Sequence, residues 1–361
     1  MLELASPPTR TASAARRGFP VYAWVVVVYT QLVILWGTYV RAAGAGNGCG
    51  PNWPLCDGQF LPHAPKLKMF IEFFHRVSSG LDGVLILALW AGAMWLYPRR
   101  HRVRRAATAA LGFVGIEALL GAALVLFGWV GMNASPARVT ADAAHLVNTM
   151  LLLAAVLVTA LWAQGVGKPG GSAPLRRRWI LGAGAAAILA TAVCGVMVAL
   201  ADTLYPSTSL IAGMRQDFSH IAPTLDRLRA IHPAVAILTG LFLIWIVTND
   251  GRGPQRGSAA RPAYARAGVG APEPQAGAAP PAPAQRRLHK SLGYAVFAAV
   301  LVQWTLGATD MLLLTPVTMQ ILHLLGADLV WMALIAYTTA ELAGLPGKAT
   351  SGSGLESDAT A

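Results

Sequence analysis

Four histidines stand inside apolar runs. They are His75 in IEFFHRVSSG, His145 in AHLVNTMLLLAA, His232 in AIHPAVA and His323 in LHLLGADLVWMA. Ionisable side chains are rare in such runs and usually functional. Imidazole is a standard axial ligand of haem iron, and two imidazoles from facing helices make a bis-histidyl site. Four such ligands suffice for two haems. The same residues admit two other readings. One is a single metal site built by all four, although no carboxylate repeats alongside them. The other is four unconnected polar contacts between helices. The remaining histidines, His63, His101, His220 and His289, fall in loops or at the edges of apolar runs and need no special role.

Two further features accompany the histidines. Glu72 stands three residues before His75, which puts both on one face of a helix, and Arg76 follows at once. That arginine is a candidate contact for a haem propionate. The second feature is the stretch GNGCGPNWPLCDG, residues 46 to 58, which carries Cys49 and Cys56 in a segment rich in Gly and Pro.

These residues need elements to hold them. Of the 361 residues, 55% are hydrophobic and 12% charged, about half the charged fraction of a soluble protein. Apolar runs at about 20–40, 70–96, 106–128, 141–164, 179–200, 230–248, 289–309 and 317–340 each reach or exceed the roughly 20 residues that span a bilayer. The expected fold class is therefore an all-α polytopic membrane protein with eight transmembrane helices. The formal charge of +12 does not point to nucleic acid, because the basic residues are confined to alternate connections. Arg10, Arg16, Arg17, the run RRHRVRR (99–105), Arg176, Arg177, Arg178 and the basic residues between 252 and 290 form one set. The other connections hold most of the loop aspartates. The positive-inside rule puts the basic set and both termini in the cytoplasm. Cys49 and Cys56 then face the oxidising side, where a disulfide persists. Two free surface thiols are the alternative. Cys194, in mid-span among small residues, reads as a packed small hydrophobe.

With this topology His75, His145, His232 and His323 fall in spans 2, 4, 6 and 8. Each lies within about two turns of the outer end of its span. Spans 4 and 8 share a short likeness around their histidines. Span 3 has LLGAAL where span 7 has TLGATD, so Gly121 answers Gly307. The chain reads as two pseudo-symmetric parallel four-helix bundles related by an axis along the membrane normal, with His75 paired to His145 and His232 to His323. The first half covers 19–164, with the outer Cys loop at 41–68. The second covers 179–340 and is interrupted by a Pro- and Ala-rich cytoplasmic linker at 249–287. Residues 1–18 and 341–361 read as tails. The halves differ in one respect: Leu228, Arg229 and Pro233 stand where the first half has an acid and an arginine beside its histidine. An acid beside one site only suggests one site for chemistry and one for electron transfer.

The residues GTYVRAAGAGNGCGPNWPLCDG through IEFFHRVSSG, 37–80, together with the four histidines, resemble the haem A synthase family, bacterial type. The likeness extends over nearly all the expected spans. It implies an oxidoreductase of the bacterial cell membrane that converts the C8 methyl of haem O to the formyl of haem A for terminal oxidase assembly. It implies that Glu72 is catalytic, that His75 and His145 hold the substrate haem O, and that His232 and His323 hold a haem b cofactor. It also implies Arg41 and Arg76 as propionate contacts, a Cys49–Cys56 disulfide, and haem O synthase and oxidase assembly factors as partners, with a quinone as electron acceptor. There are departures from the family pattern. The loop 201–228 has no cysteine pair, AAGAG follows Arg41, and Pro233 replaces an arginine. Rival readings are a bis-haem cytochrome b that exchanges electrons with a quinone, and a haem carrier or exporter.

Overall fold

The computed structural model describes residues 10–166, 173–217, 224–249 and 283–344. The expected linker 249–287 and the two tails fall largely on 250–282, 1–9 and 345–361, outside the described residues, as does His220. Among the described residues the regular structure is helical, apart from an isolated bridge between Cys56 and Gln59. The helices are α1 (Arg10–Ala42), α2 (Leu67–Leu96), α3 (Arg102–Leu126), α4 (Pro136–Ala163), α5 (Leu175–Leu204), α6 (Leu210–Asp217), α7 (Thr224–Thr248), α8 (Pro283–Leu312) and α9 (Val317–Gly344). Eight of them are long and apolar enough to cross a membrane. The chain is a multi-pass helical membrane protein.

Local chemistry sets several helix ends. The Ser135 hydroxyl accepts the Arg138 N–H, and Pro136 takes the first position of α4, where a missing N–H costs nothing. His101 caps α3 by accepting from Val103. Hydropathy marks where the membrane ends, not where a helix ends, and α1 shows the difference. It begins at Arg10, well before the expected span start near residue 20. Arg16 holds this extension in place. Its Nε donates to the Leu96 carbonyl at 2.9 Å, and its guanidinium lies 5.9 Å from the Tyr97 ring centre. The short helix α6, within the connection 201–228, carries no span-length apolar run and was not expected.

Packing follows the order of the chain. α1 packs on α2, α2 on α3 and α3 on α4, and α4 returns to α1. α5 packs on α7, α7 on α8 and α8 on α9, and α9 returns to α5. α4 also meets α5 and α9, and α1 meets α9. α4 is therefore the most enclosed span. Its Leu152 and Val156 belong to a core with Val26, Ile86 and Leu89, and its Met150 and Leu153 to one with Leu243, Trp331 and Leu334. Val21, Val25, Val28 and Leu32 of α1 point outward, where lipid is as good a solvent as another helix. Association of such helices relies on close packing and interhelical hydrogen bonds. Three are prominent: Trp331 Nε1 to the Met150 carbonyl at 2.7 Å, Thr30 Oγ1 to Asp82 at 2.9 Å, and Gln31 Nε2 to Asp328 at 2.6 Å.

Candidate functional site

Each of the four in-span histidines lies within about two and a half turns of the N-terminal end of its helix. Three of them lie against a glycine of the neighbouring helix. A Cβ at Gly37 of α1 would lie 2.9 Å from His75 Cε1, one at Gly195 of α5 would lie 3.0 Å from His232 Cε1, and one at Gly307 of α8 would lie 2.9 Å from His323 Cε1. Any side chain at these positions would push the ring away, so glycine there fixes where each imidazole sits.

In the second half the two rings face each other. The His232 and His323 centroids are 6.4 Å apart and the ring planes are nearly perpendicular, at 85°. Metal–imidazole bonds are about 2 Å long, so two rings ligating one iron from opposite sides have centroids about 6 Å apart. His232 Nδ1 is buried without a hydrogen-bond partner. Glycine cradles, an orphaned buried nitrogen and this ring separation fit a haem that His232 and His323 would hold. Gln303 of α8 places its Nε2 3.3 Å from His323 Nδ1 and 3.4 Å from Nε2.

In the first half His75 and His145 lie within electrostatic reach of each other. The Ser79 hydroxyl donates to the His75 carbonyl at 2.7 Å and lies 3.5 Å from its Nδ1. His145 Nδ1 lies 3.3 Å from Glu117 Oε1 of α3, within ion-pair reach but off the line of a hydrogen bond. Asn148 donates to the other Glu117 oxygen at 2.5 Å, and Thr149 Oγ1 contacts Oε1. Sequence reasoning did not single out Glu117. The signal was present, since it is an acid within the otherwise uncharged stretch LGFVGIEALLGAAL. Among the described residues, no three His, Cys, Asp or Glu side chains converge as a bare metal site.

Glu72 is bonded to the cysteine loop. It is 3% exposed. Its Oε2 accepts the Cys49 N–H at 2.8 Å, and its Oε1 accepts from Arg76 Nη2 at 2.5 Å. Arg76 Nη1 donates to the carbonyls of Asn52 and Leu55, at 2.5 and 2.6 Å. Arg76 therefore ties the loop to α2, and its Nη atoms are engaged with protein acceptors. Cys49 and Cys56 are joined by a disulfide, with Cα atoms 4.4 Å apart and both side chains buried. Gly48 lets the loop come this close, because a Cβ there would collide with the Lys68 carbonyl. Arg41 reaches across the two sets of helices. Its Nη1 donates to the Ala199 carbonyl at 3.0 Å and its Nη2 to Gln320 at 3.1 Å.

His289 takes a place that sequence reasoning did not foresee. It is buried, with Nε2 3.5 Å from Glu341 and its ring 4.6 Å from that of Tyr337. Arg177 donates to the same carboxylate through Nε at 2.6 Å and Nη2 at 2.9 Å.

The profile of the COX15-CtaA family, described as cytochrome oxidase assembly proteins, matches residues 20–271. The chain belongs to this family. It is 37% identical over 325 residues to a Thermus thermophilus protein named protoheme IX farnesyltransferase, covering 89% of this chain and 48% of that one. The chain thus spans about half the length of that relative. It is also 38% identical over 111 residues to a haem A synthase of Alkalihalophilus pseudofirmus, which is 30% of this chain and 36% of the relative. A haem A synthase of Bacillus licheniformis is 39% identical over 107 residues, 29% of this chain and 34% of the relative. Membership of this family agrees with the likeness read from residues 37–80.

Proposed function

We propose that the protein is a haem A synthase, an oxidoreductase that converts the C8 methyl of haem O to the formyl of haem A. The observation that carries this reading is a pair of interhelical histidine sites, cradled by glycine, of which the first has Glu117 against His145 and Glu72 one turn before His75, while the second has Gln303 against His323 and the Arg229–Asp202 ion pair one turn before His232. Relatives named haem A synthase support it. In this reading the halves are pseudo-symmetric parallel bundles in a bacterial cell membrane. The termini are cytoplasmic and the disulfide loop faces outward.

His75 and His145 would hold the substrate haem, and His232 and His323 a haem b. A haem bound at the second site supplies one-electron redox capacity. The chain's own residues do the rest. Gly37, Gly195 and Gly307 fix the ring positions. The Cys49 N–H and Arg76 orient the Glu72 carboxylate, whose oxygens would take the proton from the substrate methyl as electrons leave that carbon for the quinone acceptor. A preorganised carboxylate in a dry site also stabilises positive charge developing at that carbon. Burial of Glu72 keeps bulk water from competing for either task. Arg41 and Arg76 are both candidates for a propionate, each through a guanidinium that already donates to protein acceptors.

The farnesyltransferase name of the double-length Thermus relative fits a partner that makes haem O. Oxidase assembly factors and a quinone acceptor complete the reading. The test is acid extraction of haems from protein purified with haem O synthase co-expressed, followed by chromatography. Haem A or its hydroxylated intermediate is the expected product. Haem B alone would favour an electron-transferring cytochrome. Unaltered haem O, bound and released, would favour a carrier.

A further inference from the structure

The two histidine sites differ in the side chain that backs the last ligand of each half. Gly121 and Gly307 occupy matching places in LLGAAL and TLGATD. Four residues earlier, one turn up the same helix face, stand Glu117 and Gln303. Both reach the histidine of the next helix. Glu117 Oε1 is 3.3 Å from His145 Nδ1, and Gln303 Nε2 lies against both ring nitrogens of His323, 3.3 Å from Nδ1 and 3.4 Å from Nε2.

The residues three positions after each histidine differ in a matching way. Asn148 donates to Glu117 at 2.5 Å and to the Phe113 carbonyl at 2.9 Å. Its counterpart is Gly326, where a Cβ would collide with Gln303 Oε1. The first half therefore supplies a donor suited to an acid, and the second supplies room for an amide. A carboxylate offers only acceptors, so its contact with Nδ1–H fixes the tautomer and leaves Nε2 to ligate. It also raises the basicity of the ring, and mutating such outer partners typically costs about 10- to 100-fold in metal affinity or activity. An amide is neutral and does not add that electron density.

We propose that Glu117 is a positioning residue that makes the two haem sites electronically unequal, holding the first-half site at a lower reduction potential than the second through His145. This inference rests on the reading of the two histidine pairs as haem sites. In it, a small rotation of the His145 ring completes the Nδ1–H···Oε1 bond. The added electron density stabilises the oxidised iron of that site, while Gln303 leaves the second site without this bias.

The test is a spectroelectrochemical titration of the full chain in detergent, filled with haem B at both sites. Glu117→Gln raises the potential of the first site by about tenfold in the equilibrium constant, about 59 mV for one electron. The second site stays in place. Glu117→Asp keeps the charge and stays closer to the parent. Gln303→Glu lowers the second site and spares the first. Should Glu117→Gln fail to hold haem, Asn148→Ala decides the matter. Loss of that donor leaves more of the carboxylate's charge for His145 and lowers the first potential. Unchanged potentials in the Gln variant, equal shifts at both sites, or no shift in the Ala variant where it is decisive, overturn the inference. If His145→Ala and His323→Ala both keep two ligated haems, it is the haem-site reading that fails.

Discussion

Both halves of the bundle carry charge near their histidines, but the first half sets acids beside them, whereas among the described residues the second half sets an arginine, Arg229, one turn before His232 and paired with Asp202 at 2.8 Å. Around His75 and His145 stand Glu72 with Arg76, tied to the disulfide loop, Glu117 against His145, and Asp142 paired with Arg138. Around His232 and His323 stand Gln303, two glycines and Pro233. In the proposed reading histidine is the ligand in both halves, so ligand identity cannot set their roles. What differs is the proton-accepting capacity within reach. A glycine-lined site whose nearby acid, Asp202, is already paired with an arginine suits a resident redox group. A site with an oriented acid suits a bound group that is to be changed.

The sharpest way to break this comparison is to remove ligands one half at a time. His232→Ala or His323→Ala is expected to abolish the tightly held bis-histidyl haem B, with near-complete loss of its reduced-minus-oxidised spectrum. His75→Ala or His145→Ala spares that spectrum and empties the exchangeable site. Haem quantification on matched amounts of folded protein reads both. Loss of haem B from the His75 variant with the exchangeable haem retained would invert the assignment of the halves.

A smaller change keeps both haems and tests chemistry alone. Glu72→Gln preserves size and can still meet Arg76, but it loses the charge and the ready proton acceptor. General acid–base and charge-stabilising groups are worth about 10²- to 10⁴-fold, so product relative to haem O falls at least about 10²-fold at constant haem B. The competing account is visible in the same contacts. Glu72 is bonded to Cys49 and Arg76, so it also fastens the loop. If fastening is its whole role, the variant loses thermal stability and keeps its turnover per folded molecule.

How much of this was legible beforehand follows from which signals are local. The eight spans were readable because membranes demand long uncharged runs, and the four histidines stood out because such runs exclude them. The Cys49–Cys56 pair was readable from its segment and the charge pattern around it. Arg76 was harder to read. Its proximity to Glu72 is a helix property, but its bonds to Asn52 and Leu55 depend on how the loop folds back. Gln303 was invisible because an amide carries no hydropathy alarm. His289 looked like an edge residue because helix ends are where histidines are cheap. Only the meeting of α5, α8 and α9 buries it beside Glu341. The early start of α1 was hidden because polar residues continue a helix as readily as they leave the membrane.

The smallest expected effect concerns the interruption that only the second half carries. Both ends of the connection between α7 and α8 are fastened without it. Arg177 of α5 donates to the Ile246 and Asn249 carbonyls at the end of α7, at 2.9 and 3.3 Å. The same guanidinium binds Glu341 of α9, which lies 3.5 Å from His289 near the start of α8. This cluster sets where α7 ends and α8 begins, so the segment between them need only span the gap. Halving the number of residues in a loop changes closure entropy by about 0.6 kcal/mol. Replacing residues 254–282 with a shorter Gly/Ser chain is therefore expected to leave haem content and product ratio at parent levels, with at most a slight rise in thermal stability. Arg177→Ala, which leaves a buried Glu341 short of its cation, is the contrasting variant. It lowers the unfolding midpoint and loosens the second-half haem while the first half holds. If shortening the segment empties the second site as Arg177→Ala does, the connection contributes to that half, and the two halves differ in construction as well as in charge.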